Sequence, residues 1–339
     1  MRLAIRHISR YHIDEQAAYA MQRLRLRPQS GPCQTVRAWQ VTIDGVEPTL
    51  GYTDGLGNRV DLVRHERGRA EVVIVAAGVV ETEDHAGIFG EADPYAAPWL
   101  FERETPLTRA GSAVRELAAA LPAEHGCLDA LHWLMGQVHT QIRHVPAAHA
   151  DEPAQADAAL VRGEGSSRDH THAFVAAARA LRIPARYVCG YVLTDGSLER
   201  MTEAIRQAGA AQPSQQSQQL QMDSAGMLQS QSAAGAARQT SVQTGTLASA
   251  QVSAQANPQA SAQTHTLAAT LPPCGHAWAE AFVDGLGWVG FDPFLNRCPD
   301  ERYVRIAVGL DHRDTQSVSG IGAWASGVEI SVAQAPELI

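Results

Sequence analysis

A chain of 339 residues with 45% hydrophobic content is long enough for two packed domains, and its net charge of −9 argues against a nucleic-acid partner, whose phosphates need a basic surface. It contains no run of about 18 apolar residues, and the opening MRLAIRHISRY lacks the apolar centre of a signal peptide, so neither a membrane partner nor export is expected. Five widely spaced cysteines (Cys33, Cys127, Cys189, Cys274 and Cys298), an odd number without a C-x-x-C pair, suit a reducing cytoplasm and no disulfide framework.

The first 82 residues read as an all-β domain, a sandwich. Strands are expected at 2–11, 19–26, 35–43, 59–63 and 70–80, with turns at Asp44-Gly45 and Asp54-Gly55. His7, His12 and His65 read as packing or surface residues. Residues 83–110, rich in acids, prolines and aromatics, read as a linker. Residues 112–120 are expected to be helical. A clearer helix spans 128–142, where Leu128, Leu131, Met135, Val138 and Ile142 form one apolar stripe. Pro146 ends it, and a loop leads through Asp157.

Gly163–His172, GEGSSRDHTH, carries the densest signal. Two glycines are followed by Ser166-x-x-Asp169, a capping-box pattern that marks a helix start. His170, Phe174, Ala177 and Leu181 then share one helical face, and Pro184 ends the run. A side chain on that first turn sits where unpaired N–H groups converge, a place that lowers a nucleophile's pKa and can hold an oxyanion.

A strand is expected at 186–194, then the composition shifts. Residues 201–270 are mostly Gln, Ser, Ala and Thr without an aromatic residue, too little apolar area to offset ordering entropy. The stretch reads as a disordered insert leaving a hairpin tip, either a tether or a tolerated expansion. Beyond it, HAWAEAFV from His276 reads as a strand, Asp284-Gly285 as a turn, and WVGFDP as the return strand. A hairpin centred on Asp284 places His276 opposite Asp292 on one face. Tyr303–Val308 is expected to be the final strand, and 316–339 a C-terminal tail.

These motifs resemble the bacterial transglutaminase-like superfamily, a branch of the papain-like fold. The family's helix start reads Gly-Val-Cys-Gln-Asp-His, and it is followed by Pro-Ala-Arg-Tyr-Val, His-Ala-Trp-Ala-Glu and Trp-Val-x-x-Asp-Pro. Pro184–Val188, His276–Glu280 and Trp288–Pro293 match the last three. At the helix start Asp169 and His170 are kept, Ser166 and Arg168 replace Val and Gln, and Ser167 stands where the family has its cysteine. The Asp54–Asn58 turn matches the N-terminal domain that accompanies this family. The resemblance implies an α+β fold: an all-β N-terminal domain, then a papain-like core (111–200 and 271–315) with a helix packed on an antiparallel sheet. It implies acyl transfer or amide hydrolysis on a protein or peptide substrate, with a primary amine as an alternative acceptor. Ser167, His276 and Asp292 take the catalytic positions, supported by Asp169, His170 and Trp278.

A hydroxyl has a far higher pKa than a thiol and needs a well-aimed base and oxyanion hole. Two readings therefore stay open: an enzyme, weakened or inactive through Ser167, or a binding module that recognises a peptide or Gln side chain without turning it over. Cys274 could share a strand face with His276, beside it and away from the helix start. His170 and His172, two apart on a helix, face different sides and cannot chelate one ion, so no metal or other cofactor is expected.

Overall fold

The computed structural model describes residues 1–13, 20–65, 70–91, 95–145, 154–194 and 275–336. The insert at 201–270 and Cys274 lie outside these. The N-terminal domain is built by period-two alternation. Strand β1 (Arg2–Ile13) buries every second residue from Leu3 to Ile13. It joins β3 (Gln34–Ile43) and β6 (Glu71–Thr82) in one antiparallel sheet. Strands β2 (Ala20–Leu24), β4 (Leu50–Thr53) and β5 (Arg59–His65) belong to a second. Tyr11, Ile13, Leu24, Val41 and Ile74, drawn from both sheets, share one core. Strand β4 was missed in the sequence because it is short and largely exposed.

The segment expected to be a C-terminal tail instead completes both sheets. Strand β14 (Val318–Ile321) pairs with β2. Strand β15 (Ala323–Gln334) pairs along all of β1, from Leu3 opposite Gln334 to Ile13 opposite Ala323. Val328, Ile330 and Val332 recur every second residue, and the first two are buried. The chain's end thereby covers a β1 edge that would otherwise expose unpaired backbone groups.

The second half is α+β. Strands β7 (Ile88–Gly90), β10 (Ala185–Val192), β11 (His276–Val283), β12 (Gly287–Phe291) and β13 (Tyr303–Gly309) form a sheet in the order β13-β10-β11-β12-β7. Helices α1 (Ser112–Ala119), α2 (Cys127–Gln141), α3 (Ala156–Arg162) and α4 (Ser167–Ala180) share a core with it. The stripe expected on α2 is the buried one, with Leu128 at its margin. Two elements depart from expectation. Strand β7 lies inside the supposed linker and forms the sheet's edge. Helix α3 replaces a loop at Asp157; at seven residues it is shorter than the window of about 11–18 residues in which a helical period can be read.

Helix α4 is the centre of this half, buried from Ser167 to Arg179. Its small residues, Ala173 and Ala176–Ala178, let the surrounding helices and sheet approach closely, and Phe174 stacks on Phe291 with centroids 5.4 Å apart. At its far end Arg179 donates to the carbonyls of Phe101, Ala185 and Leu310 and to the Thr108 hydroxyl. The N-terminal domain docks through Leu3, Ile5 and Val80 against Tyr191, Val304 and Ile306. Asn58, in the Asp54–Asn58 turn, donates to Val308 O and accepts from Val308 N, both at 2.8 Å.

Candidate active site

The first turn of α4 is fixed by its cap. Ser166 N–H and Ser166 Oγ both donate to Asp169 Oδ2, at 2.8 and 2.7 Å, while Ala154 N–H donates to Oδ1 at 2.8 Å. Burial pushes the Asp169 pKa up, but these donors and His172 hold it below the usual carboxylate value. Asp169 is therefore an anion that locks the loop to the helix. Ser167 is the first helical residue and is 6% exposed.

The hairpin opposite differs from the expected register by two residues. Its turn centres on Gly285, and Gly285 and Gly287 take φ of +79° and +78°, which glycine tolerates without strain. Ala279 consequently pairs with Phe291, and Asp292 falls across from Trp278 rather than His276. A slip of two preserves the face. His276 Nε2–H donates to Asp292 Oδ2 at 2.6 Å, and both side chains are buried. His276 itself pairs in the ladder with Gly190 of β10.

Asp292 collects three further donors. Tyr303 Oη donates to Oδ2 at 2.8 Å, and the N–H groups of Phe294 and Leu295 donate to Oδ1 at 3.0 Å each. Burial raises its pKa, yet His276, the Leu295 N–H and the Tyr303 hydroxyl bring the net direction down. Burial and Asp292 push the Tyr303 phenol far up, so it stays a donor. Because Nε2 is committed to Asp292, Nδ1 is the imidazole nitrogen left for a reacting proton. Trp278 packs beside His276 with ring planes 23° apart and centroids at 6.3 Å, and Tyr303 meets the Trp278 ring edge-on.

Ser167 and His276 sit on elements that pack together, α4 and β11, and Phe294 contacts a residue of each. Its ring lies 5.3 Å from His170, one turn below Ser167, and 5.7 Å from His276. Among the described residues no hydrogen bond joins the Ser167 hydroxyl to His276. His170 and His172 do diverge: His170 turns to Ile142, while His172 Nε2 accepts from the His312 N–H at 3.1 Å. Among the described residues no three metal-ligating side chains come together.

Three residues at the site escaped the sequence reading. Phe294 and Tyr303 lie just past the motifs, where no pattern distinguishes them from core. His144 enters through a two-residue strand, β8 (Arg143–His144), paired in parallel with β9 (Glu164–Gly165), directly before Ser166. Its ring meets Phe294 edge-on at 4.7 Å. Burial first, then His170 and His276, push its pKa down to about 4, so it is neutral at pH 7.

A buried His–Asp pair on an antiparallel sheet packed against a central helix is the arrangement of the papain-like acyl-transfer class. Residues 115–293 match the family described as Transglutaminase-like superfamily, and residues 3–81 match the Bacterial transglutaminase-like N-terminal region. The chain belongs to the transglutaminase-like superfamily. Uncharacterized protein ML0607 of Mycobacterium leprae (strain TN) is 19% identical over 346 residues, covering 98% of this chain and 96% of that protein. The solved "Putative Cysteine Protease from Cytophaga hutchinsonii" superposes with a TM-score of 0.63 at 14% identity, over 100% of this chain and 92% of that one; at this identity the likeness is one of fold. The periplasmic domain of TgpA from Pseudomonas aeruginosa bound to ethylmercury aligns at 14% identity with a TM-score of 0.33, covering 88% of this chain and 91% of that one. No helix among the described residues is long and apolar enough to cross a membrane.

Proposed function

We propose that this chain is an acyl-transfer protein of the transglutaminase type that takes carboxamide or peptide bonds, with Ser167 in the nucleophile's place and its turnover weakened by that serine. The observation that carries the reading is the His276–Asp292 pair at 2.6 Å, joined through Phe294 to the first turn of α4. In the forward step the Ser167 Oγ–H proton passes to His276 Nδ1 as Oγ bonds the carboxamide carbon. The C–N bond then breaks, and the same proton leaves with the amine or ammonia. Water or a primary amine next attacks the ester, gives its proton to Nδ1, and Oγ recovers a proton as it departs. Asp292 holds the imidazole in one tautomer and offsets its charge. No nucleic acid, membrane or cofactor enters this scheme, and the scattered cysteines suit the cytoplasm.

A second reading, a peptide-binding protein without turnover, draws on the absence of a hydrogen bond between Ser167 and His276 among the described residues. Amine incorporation and ammonia release, assayed on a Gln-containing peptide, separate the two. The expected result is little product from the natural chain and clear product from Ser167→Cys. No product from either, with peptide binding retained, would favour the binding protein.

A further inference from the structure

His170 is 1% exposed, and both of its ring nitrogens face carbonyl oxygens. Nδ1 lies 2.7 Å from Ser166 O, and Nε2 lies 2.8 Å from Ile142 O. A carbonyl can only accept, so each contact needs a hydrogen on the ring nitrogen. A neutral imidazole has one N–H. It would turn a lone pair onto the other carbonyl oxygen at hydrogen-bond distance, a repulsive contact inside a buried site. Rotating the ring by half a turn aims C–H groups at both carbonyls and strands both nitrogens. Both distances lie in the range of charge-assisted bonds.

We propose that His170 is held as an imidazolium and is the positioning residue that polarises the Ser166–Ser167 peptide. The assignment rests on the reading of Ser167 as the acyl-accepting position. Ser166 O already accepts from the N–H groups of Asp169 and His170, each at 3.1 Å, so the His170 side chain is its third donor. Electron density drawn to that oxygen leaves the amide on the other side of the same bond, Ser167 N–H, a stronger donor. As the first amide of α4 it has no intrahelical acceptor, and it stands where a developing oxyanion would be met. Nε2–H meanwhile donates to Ile142, the C-cap of α2, where the helix dipole favours a cation.

The groups around the ring divide. Burial is the largest influence and pushes its pKa down; the Ser166 and Ile142 carbonyls, then Asp292 and Asp169, push it up. His144 and His276 flank the same Phe294 ring, His139 meets the Phe294 carbonyl, and His144 is neutral at pH 7. The net direction is down, so the imidazolium rests on geometry against burial: a carbonyl faces each ring nitrogen, and a neutral ring can donate to only one of them.

The direct test is long-range 1H–15N correlation on the 15N-labelled full chain, with the His170 signals assigned by their loss in His170→Gln. Both nitrogens should carry protons at pH 7; a single-tautomer pattern there overturns the proposal. The second test follows the thiol pKa of Ser167→Cys by pH-dependent iodoacetamide alkylation. Adding His170→Gln should cut the thiolate fraction at pH 7 about tenfold, as loss of one nearby positive charge does, and His170→Lys should restore part of it. A lowered melting temperature with an unmoved thiol pKa would reduce His170 to a structural strut and overturn the polarising role. If the thiol responds to His170 but ignores His276→Ala, the acyl-transfer reading fails while the His170 assignment stands.

Discussion

His276 and Asp292 hydrogen-bond at 2.6 Å although they are two positions out of register across their hairpin. Diagonal neighbours on one sheet face lie within reach of an imidazole and a carboxylate, so the pair tolerates an even slip and no odd one. The contact is then held by Tyr303, which reaches the same oxygen from β13.

Tyr303→Phe should therefore destabilise the fold by about 1.5–3 kcal/mol, the usual worth of a hydrogen bond to a charged group. The sign of its pH dependence follows from Asp292, whose folded pKa is depressed. Stability from such a group is present above the unfolded value, about 3.9, and is lost as pH falls through the lower folded value. The variant should thus lose most at pH 7, and the gap to the natural chain should narrow below about pH 3. Urea unfolding at both pH values measures it; an equal loss at both would detach Tyr303 from the Asp292 charge.

A second buried carboxylate makes a purely structural prediction. Glu280, fully buried, pairs with Arg186 at 2.6 Å and with Arg305 at 3.2 Å, and Arg186 stacks 4.0 Å from the Trp288 ring. Glu280→Ala removes the carboxylate from a buried ion pair and should cost about 3–5 kcal/mol. Pairing Glu280→Leu with Arg186→Met should recover most of that, because Arg305 is 29% exposed and can turn to water. Denaturant midpoints of the single and double variants decide it.

What could be read beforehand was whatever carried its own local signature. The Ser166-x-x-Asp169 cap, the α2 stripe and the alternation in β1 each sit within a few residues and gave their elements directly. The His276–Asp292 contact was anticipated for a neighbouring register, and it survived because the error was even. Long-range partners were not legible. Nothing in Val328, Ile330 and Val332 says that their strand returns to β1, some 320 residues upstream. Likewise His144 meets the site only through the two-residue β8–β9 pairing, too short for any period.

The closure of the fold by its own end has a measurable consequence. Ile330→Ala should cost about 2–5 kcal/mol, like other buried large-to-small changes, whereas Val332→Ala, partly exposed, should cost less. Hydrogen exchange in the Ile330→Ala chain should rise first along β1 and β15. Unchanged protection of β1 would mean that the β15 pairing adds little to the sheet.

The chemistry of the site is open to a thiol probe. Ser167→Cys places a sulfhydryl on the first turn of α4, where the positive helix end and a nearby imidazolium both favour the anion, so its pKa should fall below the ordinary value of about 8.5. Iodoacetamide should then label Cys at that position faster than Cys33 and Cys298, whose thiols burial pushes up, Cys33 to about 11. His276→Ala in that background should raise the pKa and slow labelling, and Asp292→Asn should do the same more weakly, since it removes the anion that favours the imidazolium. A thiol that titrates like a free cysteine, with or without His276, would break the link between the helix start and the His–Asp pair. The natural serine supplies the converse check. Little labelling by a fluorophosphonate is expected, and strong labelling abolished by His276→Ala would make this chain a working serine hydrolase rather than a weakened one.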